Sequence, residues 1–355
     1  MTLLIIVAAV IAALALWVVG SRVAFHLEDR PRLVRATTVD GWTLSLWHRA
    51  PRQQRFVQPV VLCHGLGNNH AIFEFRGRSH LARVLADAGF HVFSVDFRGA
   101  GRFAPPDPSF VEGTIDDYVD RDAPALLDAV QAATGQRQVL WVGHSLGGIV
   151  GVLASARQAK GRLAALVTVG SPLFFEPRSL FLRALRLGRF FAPAGVFPAR
   201  VLSTLFAPLA GWFPAPPVAH LTARLDNVDG RDQRYLLANV FADLWSGVME
   251  QLEGWIRSGR MTSAETGEDL RTPALAVHDV PTLVVGGSVD HLAPLSVTQR
   301  FFSELQAAEK ELVLVGTAFG QAVEYGHGDL LVGRDADRDV YAPIVRFLER
   351  QATPS

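Results

Sequence analysis

Val139-Leu140-Trp141-Val142-Gly143-His144-Ser145-Leu146-Gly147-Gly148 places a wholly apolar run directly before a glycine-flanked serine, and the helix-compatible run Ile149 to Ala156 follows it. A chain that turns this sharply from strand to helix needs small residues two before and two after the turning residue, which accounts for Gly143 and Gly147. The turn lifts the serine hydroxyl above the end of the strand. It also aims the free N–H groups and positive dipole end of the next helix at any charge that develops there. The same pattern can serve packing alone, so its meaning depends on what the rest of the chain supplies.

Working outward, short apolar runs alternate with helix-period segments, the pattern of a mostly parallel sheet with helices on both faces. Ala36 to Val39 and Thr43 to His48 flank Asp40-Gly41, a type I′ hairpin signal, so the sheet is expected to open with an antiparallel pair. Val60 to Cys63, His91 to Val95, Val139 to Val142 and Leu166 to Val169 read as strands buried on both faces, and Thr282 to Val285 and Leu312 to Val315 complete an eight-stranded sheet. Asp122 as N-cap, Pro124 in the first turn and Gly135 as terminator predict one crossover helix.

A serine hydroxyl is a weak nucleophile near neutral pH unless a base, itself oriented by an acid, takes its proton. Asp290 follows the strand Thr282 to Val285 and the turn Gly286-Gly287-Ser288-Val289, and His327 follows Leu312 to Val315 within Tyr325-Gly326-His327-Gly328. Both fall where loop side chains reach over the sheet's C-terminal edge, in the order Ser, Asp, His. Ser145, Asp290 and His327 are therefore the candidate catalytic residues. Asp96, His278 and His291 are weaker competitors, and His64 and His144 are read as shaping the floor of the site. The oxyanion formed on attack needs preorganised donors, for which the backbone N–H groups of Leu146, directly after the serine, and of Leu66, in Cys63-His64-Gly65-Leu66-Gly67, are the candidates.

The ends and the middle of the chain carry different signals. Residues 3 to 20 hold no charge and include 11 Leu, Ile or Val. At 1.5 Å per residue they reach about 27 Å, close to a bilayer's hydrocarbon core. Residues 1–21 are thus expected to form a single-pass transmembrane anchor; a cleaved signal peptide is the alternative. The basic flank Arg22, Arg30, Arg32 and Arg35 would keep the following domain cytoplasmic. Strand and helix alternation fails between Pro172 and Val280, which predicts a core at 22–171 and 281–355 interrupted by a cap at 172–280. That insertion is aromatic and proline-rich, and Arg183, Arg186 and Arg189 beside Phe181, Leu185 and Phe190 suggest an amphipathic helix. Acidic and basic side chains balance at 34 each, leaving no global field for nucleic acid. The single cysteine, Cys63, excludes an internal disulfide and a multi-cysteine metal site.

Asp40-Gly41-Trp42-Thr43-Leu44, His64-Gly65-Leu66, Leu85 to Val92, Val95-Asp96-Phe97-Arg98-Gly99, the Ser145 turn, Gly287 to Pro294 and His327 through Tyr341 together resemble α/β-hydrolases of the lipase and esterase kind, acid lipases among them. The resemblance implies hydrolysis of a small-molecule acyl ester through an acyl-serine, with no metal or organic cofactor, beneath a cap over an acyl-binding pocket. Such lipases are commonly secreted and disulfide-bearing, whereas this chain has one cysteine and an expected anchor. The same three residues would also serve a thioesterase or a polyhydroxyalkanoate hydrolase, and a non-catalytic membrane scaffold is the reading from another class.

Overall fold

In the computed structural model the apolar runs pair into one sheet because most of them have no polar face to give to water. The structure describes residues 31–74, 80–101, 113–175, 195–210 and 223–355, with Ala9, Ala12, Ala13, Leu16 and Trp17 before them. In chain order the sheet strands are β1 (Arg32–Thr37), β2 (Thr43–Arg49), β3 (Val60–Cys63), β4 (Val92–Asp96), β5 (Val139–His144) and β6 (Leu163–Val169). A two-residue pair, β7 (Val196–Phe197) and β8 (Leu244–Trp245), stands apart, and β9 (Thr282–Gly287) and β10 (Lys310–Val315) complete the sheet. The eight-stranded order is β1-β2-β4-β3-β5-β6-β9-β10. β1–β2 and β2–β4 are antiparallel and every other pairing is parallel. The central strands β3, β4 and β5 are buried at every position, as strands covered by helices on both faces must be.

Two local expectations are corrected. The opening hairpin forms, but only Gly41 (φ 89°) of its Asp40-Gly41 tip takes a positive φ, so the turn is not type I′. Gly41 N–H bonds to Thr38 O and Thr38 N–H to Trp42 O (2.9 Å each), a turn closed by a left-handed glycine. The helix expected to start at Asp122 starts at Ile115, and Ile115–Asp117, Tyr118–Asp122 and Ala123–Thr134 run on without a break. Pro124 lacks an N–H and crowds the preceding turn, and the widened π-turn Tyr118–Asp122 just ahead of it absorbs that mismatch. The same device recurs where Asp337–Tyr341 precedes Pro343 in the helix Ala342–Gln351. Freed from capping, the Asp122 carboxylate takes the N–H (2.9 Å) and Nε (2.8 Å) of Arg98. Arg98 Nη1 in turn reaches Asp40 Oδ2 at 2.8 Å, stapling the hairpin to that helix. Gly135 terminates the helix as expected, at φ 74°.

Between β6 and β9 the chain leaves the sheet for β7, β8 and the helices Ala199–Phe206, Gly230–Tyr235, Ser246–Ser258 and Arg271–Ala276. Phe174, at the start of this excursion, lies in the core under the guanidinium groups of Arg271 (4.3 Å) and Arg300 (4.0 Å). The amphipathic helix expected around Phe181 to Phe190 lies outside the described residues. So does nearly all of the anchor expected at 1–21, and among the described residues no helix is long and apolar enough to cross a membrane.

Candidate active site

Ser145 directly follows the buried strand β5 and caps the helix Leu146–Ser155 with φ 52° and ψ −118°. Among the described residues it is the only non-glycine with a positive φ. A side chain held there stores on the order of 1–3 kcal/mol of strain, tolerated only where the surroundings over-determine the backbone. They do so here. Ser145 N–H bonds to Val169 O on β6 at 2.8 Å. A Cβ at Gly143 would lie 2.3 Å from the Gly147 carbonyl, and one at Gly147 would lie 2.2 Å from Cys63 O. Strand, turn and helix thus touch through backbone alone, which is the packing reason for both glycines. Ser145 is half-buried between residues that are buried.

The structure brings Asp290 and His327 together. His327 Nδ1 lies 2.8 Å from Asp290 Oδ2, with both side chains buried. Burial by itself would raise the Asp290 carboxyl; the His327 charge and hydrogen bond, with the N–H groups of Ala293 and Leu292, outweigh it and hold the carboxyl below its usual value. Those two N–H groups both donate to Oδ1, at 2.8 Å each. With Oδ1 occupied, Oδ2 is left to face the imidazole. The pair sits against the serine turn: a Cβ on Gly170, next to the Val169 carbonyl that holds Ser145, would be 3.1 Å from Asp290 Oδ2 and 3.2 Å from His327 Nδ1.

Leu146 is the first residue of the helix, and Leu66 lies in the tight turn after β3. A Cβ on Gly65 would lie 2.9 Å from Ser145 Cβ, so only a glycine lets this loop approach the serine so closely. Leu66 and Leu146 share a small pocket with Phe97, Tyr118, Trp245 and Val248 among its walls. His64 fixes the loop from below: its Nδ1 bonds the Gly65 carbonyl at 2.8 Å and its Nε2 accepts the Phe97 N–H at 3.3 Å. The excursion holds the loop from above through Asn69 N–H to Val240 O (3.0 Å) and Ala242 N–H to Gly67 O (2.8 Å).

The weaker competitors are held by other partners or lie exposed. Asp96 accepts from His70 Nδ1 (2.9 Å), His70 N–H (2.7 Å) and Trp47 Nε1 (3.1 Å). His278 bonds Thr282 Oγ1 at 2.9 Å, and His291 is exposed. Sequence reasoning missed the seam between the two loops that carry Asp290 and His327. Ser288 Oγ donates to the Glu324 carboxylate, and Val289 N–H bonds Tyr325 O at 2.9 Å. Neither Ser288 nor Glu324 carries a motif; only their pairing in space marks them.

His144 shows what burial does beside this pair. Its Nε2 bonds the His327 carbonyl oxygen at 3.2 Å and the two rings lie 4.7 Å apart. Burial first, and the neighbouring His327 second, bring its pKa down to about 3. The native chain keeps this ring neutral while the unfolded chain protonates it near pH 6.5. Between those values the unfolded state binds the extra proton, so this group's contribution is full above pH 6.5 and is lost on acidification, at about 1.4 kcal/mol per pH unit. Buried carboxyls raised by desolvation, Asp122 (to about 6) and Asp329, act in the opposite sense over part of that range. His144→Gln isolates the histidine: between pH 6.5 and 4 the variant should lose less stability in urea unfolding than the parent, and parallel curves would contradict this.

A family model for the alpha/beta hydrolase fold matches residues 58–320. The tear acid lipase-like protein of Mesocricetus auratus is 31% identical over 153 residues, 39% of this chain and 38% of its own length. The poly(3-hydroxyalkanoate) polymerase subunit PhaC of Haloarcula marismortui is 21% identical over 323 residues, 86% of this chain and 63% of its own. The chain therefore spans less than two thirds of the length of these curated relatives. Among solved structures, the esterase of Exiguobacterium antarcticum superposes with a TM-score of 0.57 at 18% identity, covering 89% of this chain and 99% of that one.

Proposed function

This chain belongs to the α/β-hydrolase family, and from that premise we propose that it is a carboxylic ester hydrolase of the lipase and carboxylesterase kind, working through an acyl-serine intermediate. The observation that carries the reading is the buried Asp290–His327 pair at 2.8 Å beside a serine held at φ 52°. Ser145 Oγ attacks the ester carbonyl carbon while His327 Nε2 takes its proton and Asp290 stabilises the imidazolium. The carbonyl oxygen becomes an oxyanion within reach of the Leu66 and Leu146 N–H groups. Collapse breaks the bond to the leaving alcohol, which takes the proton back from His327. Water, activated by the same base, then attacks the acyl-serine; the carboxylic acid leaves and Ser145 is regenerated.

The space beside Leu66 and Leu146, walled by Phe97, Tyr118, Trp245 and Val248 together with Arg98 and Asp243, is read as part of the acyl-binding pocket. We read residues 172–280 as the cap over that pocket, with 22–171 and 281–355 as the core. Residues 1–21, uncharged between Leu3 and Gly20, are read as an anchor that holds the enzyme at a bilayer with its catalytic domain on the cytoplasmic side. A second reading, a thioesterase or polyhydroxyalkanoate hydrolase using the same three residues, is favoured by the similarity to the PhaC polymerase subunit over most of this chain. A panel of p-nitrophenyl esters of graded chain length, with acyl-CoA as competitor, tests both. Hydrolysis of the esters with little competition supports the first reading, and preferential turnover of acyl-CoA the second. Inactivity throughout, together with no labelling by a fluorophosphonate, leaves the scaffold reading.

A further inference from the structure

Asp329 lies two residues beyond His327 and is fully buried. Both carboxylate oxygens accept the Gly326 N–H at 3.1 Å, Oδ1 also accepts Arg224 N–H at 2.8 Å, and Oδ2 accepts Asn227 Nδ2 at 2.7 Å. Asn227 gives the same amide nitrogen to the Glu324 carbonyl at 2.5 Å. A Cβ on Gly326 would be 3.1 Å from the Arg224 nitrogen, so the two backbones are in direct contact.

A buried carboxylate is costly unless its lone pairs are satisfied. Among the described residues no cation pairs with Asp329; the Arg224 guanidinium turns to Asp226 at 3.6 Å. The donors are instead neutral groups from two separate parts of the chain. Gly326 is the residue before His327, and Arg224 and Asn227 belong to the excursion between β6 and β9. On the other side, the His327 carbonyl is held by His144. The main chain is thereby held at the Tyr325–Gly326 peptide, one residue before His327, and at the carbonyl of His327 itself, and the first of these two fixings passes through the excursion.

We propose that Asp329 is a positioning residue that locks the backbone of His327 to the Arg224–Asn227 segment, so that His327 is aligned as a base only while that segment is seated. The inference rests on the ester-hydrolase reading above. A catalytic group displaced by about 1 Å can lose on the order of 100-fold in rate, which is the scale on which this lock acts.

The test is Asn227→Ala in the full chain, which cuts both of the Asn227 bonds to the His327 loop without altering that loop. Turnover of p-nitrophenyl acetate should fall roughly 10- to 100-fold with KM within about twofold, and fluorophosphonate labelling of Ser145 should slow by the same factor. Amide hydrogen exchange in a peptide covering residues 324–329 should accelerate well beyond the change in the strands of the sheet. If the alanine variant does not accumulate folded, Asp329→Asn, which turns one acceptor oxygen into a donor, takes its place with the same expected results. Wild-type turnover and labelling overturn the proposal, as does a raised KM at unchanged kcat, which would make Asn227 a substrate contact. Unchanged exchange in 324–329 also overturns it. Should the parent protein neither hydrolyse esters nor take label, the assigned reaction fails, and the exchange measurement still decides whether the lock exists.

Discussion

Ser145→Ala is expected to lower ester turnover by roughly 10⁶-fold, leaving only the residual acceleration of 10³ to 10⁴ over water that binding and an oxyanion hole supply. The loss should appear in kcat rather than KM, because the hydroxyl forms its new bond only on the way to the transition state. Fluorophosphonate labelling should vanish with it. A variant that retains more than a hundredth of parent turnover would remove Ser145 from the proposed mechanism. The backbone adds an independent prediction at the same position. Ser145 holds its side chain at φ 52°, and Ser145→Gly removes the Cβ responsible for that strain. Stability should rise by about 1 kcal/mol in urea unfolding while activity is lost. A glycine variant less stable than the parent by about 0.5–1 kcal/mol, the cost of glycine's extra unfolded-state entropy alone, would mean that the elbow is not strained.

What made this turn legible is that its causes are local. Gly143 and Gly147 lie within two residues of the serine they serve, and the apolar run 139–142 announces a strand buried on both faces. The same locality exposed the strands buried on both faces, because a strand covered by helices has to be apolar throughout its length, whereas β1, partly exposed and polar, runs over Arg32–Thr37 rather than the expected Ala36 to Val39. Asp290 and His327 could be found because chain order narrows the search to residues just past strand ends. The features that escaped depend on partners distant in sequence. Asp122 looks like an N-cap until Arg98, in the loop after β4, claims its carboxylate. Pro124 looks like a helix start until the π-turn before it is seen to accommodate the missing N–H. Ser288 with Glu324, and Asp329 with Asn227, are ordinary polar residues at ordinary positions. No periodicity or motif couples them; only the folded chain puts donor against acceptor. The seams that align the candidate catalytic residues are thus less visible in the sequence than the residues they align.

Asp290→Asn tests alignment rather than presence, and the geometry dictates how it should fail. Oδ1 accepts two backbone N–H groups, from Leu292 and Ala293, while Oδ2 faces His327 Nδ1. A carboxamide at this position has one acceptor atom and one donor atom. If its oxygen keeps the two backbone N–H groups, its NH₂ points at His327 Nδ1, which must then offer a lone pair. The ring's proton is forced onto Nε2, the atom that has to receive the Ser145 proton, so the base arrives already occupied. If the amide flips to suit the histidine, its NH₂ meets two backbone donors in a buried site, and their lost hydrogen bonds cost on the order of 1–3 kcal/mol each. The first arrangement is the more stable one, and turnover should fall about 10⁴-fold with little change in KM or in unfolding midpoint. Asp290→Ala lacks the opposing donor and leaves the Nδ1–H tautomer open to His327, so it should be no more damaging to turnover, although it gives up the Leu292 and Ala293 bonds and should unfold at lower urea. An asparagine variant with near-parent activity would mean that Asp290 does not set the tautomer of His327. The ordering of the two variants, asparagine at least as inactive as alanine yet more stable, is the signature of a carboxylate whose work is to orient the base.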